Sequence, residues 1–224
     1  MKKLAIVLLI CMASIIQAQD VVTKNVGDFT ELKVFDKIEV KLLKGSENKV
    51  EISGINRKDV DVVTKENILK IKMSLSNTWD NNNTLVTVYY TELSKIDVNE
   101  GAVVKLKGIL TSDELDLRAQ EGGDIYAEIK TNVLLARAVS GGGLHIEGDA
   151  KEQEVTVKAG GQYMAKDLKT VQTQVKISAG GRANVNASDY VKANTAAGGT
   201  IRIYGKPKQI DSKKVFGGKI IEVN

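Results

Sequence analysis

Reactive side chains are scarce in this sequence, which has one histidine, His145, and one cysteine, Cys11. Cys11 lies in an apolar run, residues 4–16, that follows Lys2 and Lys3 and precedes the small Ala18. A basic start, a short apolar stretch and a small residue at the cut are the layout of a secretory signal peptide, here residues 1–18. The run is short for a membrane span, and Ile10 is too bulky a neighbour for Cys11 to be lipidated. Without the signal the mature chain has no thiol, which excludes a His/Cys metal site. We expect no metal and no cofactor. A Ser-His-Asp triad would depend on His145 alone.

Carboxylates are the remaining source of chemistry. Asp97, Asp116, Glu128, Glu147, Asp149 and Asp167 could supply the acid and base that glycosidic-bond cleavage needs. A polysaccharide-acting lyase or hydrolase is therefore the alternative function. Two features weigh against it. Glu128 and Glu147 share a repeat position with Lys107 and Lys166, which reads as a charge-balanced ladder, and no long insertion walls in a cleft. No catalytic residue is assigned.

Binding is the better use of the unusual side chains. Tyr126, His145 and Arg202 fall at one repeat position with Lys105, Met164 and Asn184, on the outward side of a strand. Such a strip could grip a sugar by stacking and hydrogen bonding on a flat sheet. Trp79, the only tryptophan, sits in the Asn-rich stretch SNTWDNNNT at residues 76–84 and is a second candidate contact.

Glycine organises the elements that must hold these residues. Corners recur at Gly101-Ala102 (an incomplete pair), Gly122-Gly123, Gly141-Gly142, Gly160-Gly161, Gly180-Gly181, Gly198-Gly199 and Gly217-Gly218. Successive first glycines lie 18–21 residues apart. Three and five residues to either side come apolar or small residues, such as Ile96 and Val98, Ile125 and Ala127, or Val175 and Ile177. Polar residues fill the positions between. Two short strands, each with one apolar face, thus flank every corner, and neither could bury that face alone.

A repeat of about 19 residues with strands and no helix predicts an all-β fold. The chain should wind into a parallel β-solenoid (β-helix), one coil per repeat, with equivalent positions stacked about 4.8 Å apart. Glycine suits the corners, where the chain turns sharply between neighbours above and below. The small residues before the pairs, Ser140, Ala159, Ala179 and Ala197, are expected to point into a narrow core.

Residues 19–224 read as one domain: 26–92 as less regular N-terminal coils or a cap, 93–205 as regular coils, and 206–224, with Pro207, as a C-terminal cap. Loss of the signal takes the formal net charge from +4 to +2, with both signs interspersed. No basic stripe for nucleic acid and no polybasic patch for a membrane is visible along the chain. Neither nucleic acid nor membrane insertion is expected.

The stretches FTELKV (residues 29–34) and LVTVYYTELSKIDVNEGAVV (residues 85–104), with the serial AGG corners, resemble the GIN domain (DUF2807) family. The resemblance spans essentially the whole mature chain. It implies a right-handed parallel β-solenoid, exported in a cell envelope of Bacteroidetes type, and brings no catalytic residues. The expected function is an exported, non-catalytic module, adhesin-like or scaffolding, in the periplasm, at the cell surface or secreted. Its partner would be a glycan or an envelope or host protein. A periplasmic structural or stress-linked protein is the other alternative.

Overall fold

The computed structural model describes residues 21–74 and 84–223. The expected signal peptide and Trp79 lie outside the described residues.

The chain begins with β1 (Val22–Asn25), β2 (Glu31–Val34), β3 (Glu39–Lys44) and β4 (Lys49–Gly54). After a single turn at Arg57–Asp59 come β5 (Val60–Lys65), β6 (Ile68–Met73), β7 (Thr84–Tyr90) and β8 (Lys95–Val98). The long strands β9 (Val103–Gln120), β10 (Asp124–Val139) and β11 (Gly143–Lys158) follow. Then come β12 (Gln162–Met164), β13 (Leu168–Ser178), β14 (Arg182–Ala196), β15 (Thr200–Tyr204), β16 (Gln209–Val215) and β17 (Lys219–Glu222).

Alternation decides which side of each strand is buried. In β10, Ile125, Ala127, Ile129 and Thr131 point inward, then Leu134, Ala136 and Ala138. The change of phase after Thr131 is a bend, so each coil has a first face after its glycine corner and a second face before the next. From β8 onward every coil stacks in parallel on the one before, with β10 between β9 and β11 and β14 between β13 and β16. This is the expected β-solenoid, with coils of about 19 residues.

The N-terminal coils are stacked out of chain order. β2 lies between β6 and β8, and β3 between β7 and β9, all in parallel. The coil made first is thus enclosed by the two made later. Beyond it the stack ends in antiparallel pairs, β5 on β6, β4 on β7 and β1 on β4. Residues 26–92 therefore supply both coils and a cap.

The other end finishes differently. β16 and β17 add in parallel to β14 and β15, so the expected C-terminal cap takes the form of a last coil. Ser212, Lys214 and Glu222 occupy positions in register with the buried Ala193, Thr195 and Ile203. Charge at such inward positions blunts an open edge. Pro207 lies in the connection between β15 and β16, where no ladder bond is asked of it.

The core tapers along the axis. Phe29, Leu32, Ile38, Leu42 and Ile71 fill the N-terminal coils, and Ala136, Ala183, Ala187 and Ala193 the later ones. Tyr163 is a large exception, fully buried. Its hydroxyl donates to Gln153 Oε1 at 2.6 Å, and Gln153 Nε2 donates to Thr173 Oγ1 at 2.8 Å. Buried polar groups persist when paired in this way.

The corners correct one expectation. Ser140, Ala159, Ala179 and Ala197 are exposed rather than inward, with left-handed φ of 50°, 47°, 55° and 56°. The left-handed turn swings each Cβ away from the coil axis. At Gly123, Gly142 and Gly161 the buried member of the corner is the second glycine. A Cβ on Gly123 would lie 2.6 Å from the Val98 carbonyl oxygen in the coil beneath, whereas at Gly122 (φ +74°) nothing lies within 4 Å. Backbone conformation selects the first glycine and close approach the second, to which Gly181, Gly199 and Gly218 add a positive φ of their own.

Candidate functional site

Strand register aligns the expected strip. On the first face Lys105, Tyr126, His145, Met164, Asn184 and Arg202 are consecutive partners on neighbouring coils. Ile125 and Ala127, and Leu144 and Ile146, are buried on either side of Tyr126 and His145, so those two must face outward. Lys105 is held by Glu39 at 2.8 Å.

The rings of Tyr126 and His145 stack on each other, with centroids 4.3 Å apart and planes 8° from parallel. Each ring covers one face of the other, and the edges are left for solvent, carrying the tyrosine hydroxyl and the imidazole nitrogens. The strip is better suited to hydrogen bonding than to stacking.

Asp124, which the sequence did not single out, completes the pair. Its Oδ1 lies 3.8 Å from His145 Nε2. Gly143 makes this possible, because it is the register partner of Asp124 and a Cβ there would collide with the Asp124 carboxylate. Gly143 is the third glycine in a corner that needs two, which was the available signal. Burial pushes the Asp124 carboxyl above its ordinary range, and the nearby imidazole opposes that shift.

A depression of about 370 Å³ opens over this stack, lined in part by Lys107, Glu128, Glu147, Met164 and Asp167. The expected charge-balanced ladder is not formed there. The register shifts near Gly108, which places Glu128 opposite Ile109 instead of Lys107, and Lys166 pairs with Asp167 at 2.8 Å. Glu128 and Glu147 face each other on adjacent coils, and both are exposed. A glycosidase separates its acid from its base by giving them unlike environments, and here the two carboxylates share one. Among the described residues no group of three or more His, Cys, Asp or Glu side chains could hold a metal ion. No helix among them is long and apolar enough to cross a membrane.

The family model for "Putative auto-transporter adhesin, head GIN domain" (DUF2807) matches residues 28–207. The chain belongs to this family. Among solved structures it is similar to a putative adhesin from Bacteroides fragilis, with 19% identity, a TM-score of 0.82, and coverage of 92% of this chain and 98% of that chain. A putative adhesin from Parabacteroides distasonis is 21% identical with a TM-score of 0.74, over 92% of this chain and 98% of that chain. A putative lipid binding protein from the same species is 15% identical with a TM-score of 0.72, over 93% of this chain and 98% of that chain. At these identities the likeness is one of fold. No curated protein matches the sequence.

In this GIN-domain chain Arg202 stands apart from the Tyr126–His145 pair. Arg202 is in the same column but three coils beyond His145, about 14 Å along the axis. Between them Asn184 Nδ2 donates to Met164 Sδ at 3.4 Å, and the buried Asn184 Oδ1 has no partner among the described residues.

Proposed function

We propose that this GIN-domain protein is an exported, non-catalytic, adhesin-like module that holds a glycan or protein partner against its first face. The observation that carries the reading is the Tyr126–His145 stack with Asp124 beside it, a preset row of hydrogen-bonding edges over an open depression. Preorganised polar groups of this kind bind without ordering new segments. The adhesin descriptions of the family and of its structural relatives support the role. So does the exposure of Glu128 and Glu147, which puts neither carboxylate in a water-excluded site.

Two experiments test this. A glycan and envelope-protein binding screen with the mature chain should yield a partner whose retention falls in Tyr126→Ala and His145→Ala. Retention unchanged in both variants would remove the first face from the function, and turnover of a bound polysaccharide would overturn the non-catalytic reading. Protease treatment of intact cells should digest the chain. Protection until lysis would place it in the periplasm and set aside the adhesin role.

A further inference from the structure

Charge on the second face is sorted in a way that no stretch of sequence displays. Arg137, Lys158, Lys176, Lys192 and Lys213 come from five successive coils, one each from β10, β11, β13, β14 and β16. Arg137, Lys176 and Lys213 share one outward column with Thr156 and Asn194. Lys158 stands two residues nearer the glycine corner and Lys192 two residues farther from it. All five are exposed, and among the described residues none of them enters an ion pair. The next residue in the column, Arg118, is instead tied to Asp116 by hydrogen bonds of 3.0 and 2.6 Å. That pair marks the end of the free row.

The row has defined borders. Among the acids, Glu154 and Asp211 stand in the column of Lys192, Asp211 as its register partner on the next coil, and Glu152 lies two residues farther from the glycine corner. Toward the corner come Val139, Ser178 and Ala196, then the small exposed Ser140, Ala159, Ala179 and Ala197. Two grooves lie between the cations, about 140 Å³ beside Arg137, Thr156 and Lys158 and about 470 Å³ beside Lys176, Lys192 and Lys213.

We propose that this row binds a linear acidic polysaccharide lying along the solenoid axis, with its carboxylate or sulfate groups on successive coils. Four steps of about 4.8 Å make a row of about 19 Å, and a polymer with one acid per sugar presents its charges at a similar repeat. Lys158 and Lys192 stand four residues apart along the strand direction, so the row is about 13 Å across. A bilayer surface would press on the whole width and meet Glu154 and Asp211 beside Lys192, whereas a single strand follows Arg137, Lys176 and Lys213, one column away from them. The row also has no aromatic side chain, and stacking on aromatics is what single-stranded nucleic acid uses. Tyr190, on the acidic side, gives its hydroxyl to Asp211 at 2.8 Å.

The test uses the mature chain with polygalacturonate and heparin as probes and dextran as the neutral control. Phosphatidylglycerol vesicles and single-stranded DNA are measured alongside. The acidic polysaccharides should bind, dextran should not, and binding should weaken as salt is raised. Lys176→Glu combined with Lys213→Glu should weaken it by about tenfold or more. Lys151→Glu, a single reversal of the same kind at the opposite corner, should leave it unaltered, as should Tyr126→Ala, which separates this site from the one on the first face. All these positions are exposed. No polysaccharide binding, tighter binding to vesicles or DNA, or an equal loss in Lys151→Glu would overturn the proposal.

Discussion

Adjacent glycines of one corner should fail for different reasons, and Gly122 and Gly123 allow the two to be weighed. Gly122→Ala has room for its methyl group but must hold φ at +74°. For an L-residue that costs about 1–2 kcal/mol. Gly123→Ala brings its Cβ to 2.6 Å from Val98 O, 2.8 Å from Val98 C and 3.1 Å from Asn99 N. These are backbone atoms held by the ladder, so the coils must part. Overpacking of this kind costs about 1–3 kcal/mol.

Parting the coils also weakens two bonds, Asp124 N–H to Ala102 O and Gly143 N–H to Gly123 O, each 2.9 Å long. At about 1 kcal/mol each they bring the expected loss to about 3–5 kcal/mol. In a chain of this size each kcal/mol lowers Tm by about 2–4 °C. Gly122→Ala should therefore melt about 2–8 °C below wild type and Gly123→Ala about 6–20 °C below it. Thermal and urea unfolding followed by far-UV circular dichroism would measure both. Equal losses, or a larger one for Gly122→Ala, would refute the assignment of the second glycine to coil-on-coil contact.

Gly181→Val joins both penalties, with φ at +113° and a Cβ 2.6 Å from Gly161 O and 2.7 Å from Val157 Cγ1. Its urea midpoint should fall below that of either alanine variant. Tyr163→Phe removes the donor to Gln153 Oε1 and strands a buried acceptor, at about 1–3 kcal/mol. Adding Gln153→Leu should recover part of the loss in a double-mutant cycle. Glu100 is held above the ordinary carboxylate range by its hydrogen bond with Asp36, by burial and by nearby Asp36 and Glu121. The folded state then takes up this proton more readily than the unfolded one, so the ionised form opposes folding at neutral pH, and the penalty lifts as pH falls through the raised pKa. Glu100→Gln should accordingly raise Tm at neutral pH and lose that advantage in acid; a Tm lower than wild type at neutral pH would contradict this.

Much of the architecture was legible because two local signals coincide. Residues such as Ile125 and Ala127 fix the parity of a strand, which is enough to turn Tyr126 outward, and the same parity two corners on places Met164 above His145. What depends on the third dimension was hidden. Alanine ordinarily takes the right-handed side of backbone space, so nothing in the identity of Ala159 says that a left-handed turn carries it outward. The Asp124–His145 contact needs the gap left by Gly143 on the next coil, and the shift at Gly108 needs a bulge that moves Glu128 off Lys107. The order of the N-terminal coils is chosen between strands far apart in sequence. The basic row is invisible for the same reason, since each of its members comes from a different coil and has its acids nearby in sequence.

The enclosure of β2 and β3 between later strands has a consequence for how the molecule assembles. A solenoid built strictly in chain order could add each coil as it emerged, but here the first coil offers two bare edges until residues 68–90 and residues 95–120 have both arrived. The N-terminal strands therefore come together as a nucleus of about three coils, not one coil at a time in chain order. One side of that nucleus is closed by antiparallel strands, so growth runs in a single direction, toward β17. A further coil would accordingly be accommodated at the C-terminal side, where a new turn meets an edge of matching polarity.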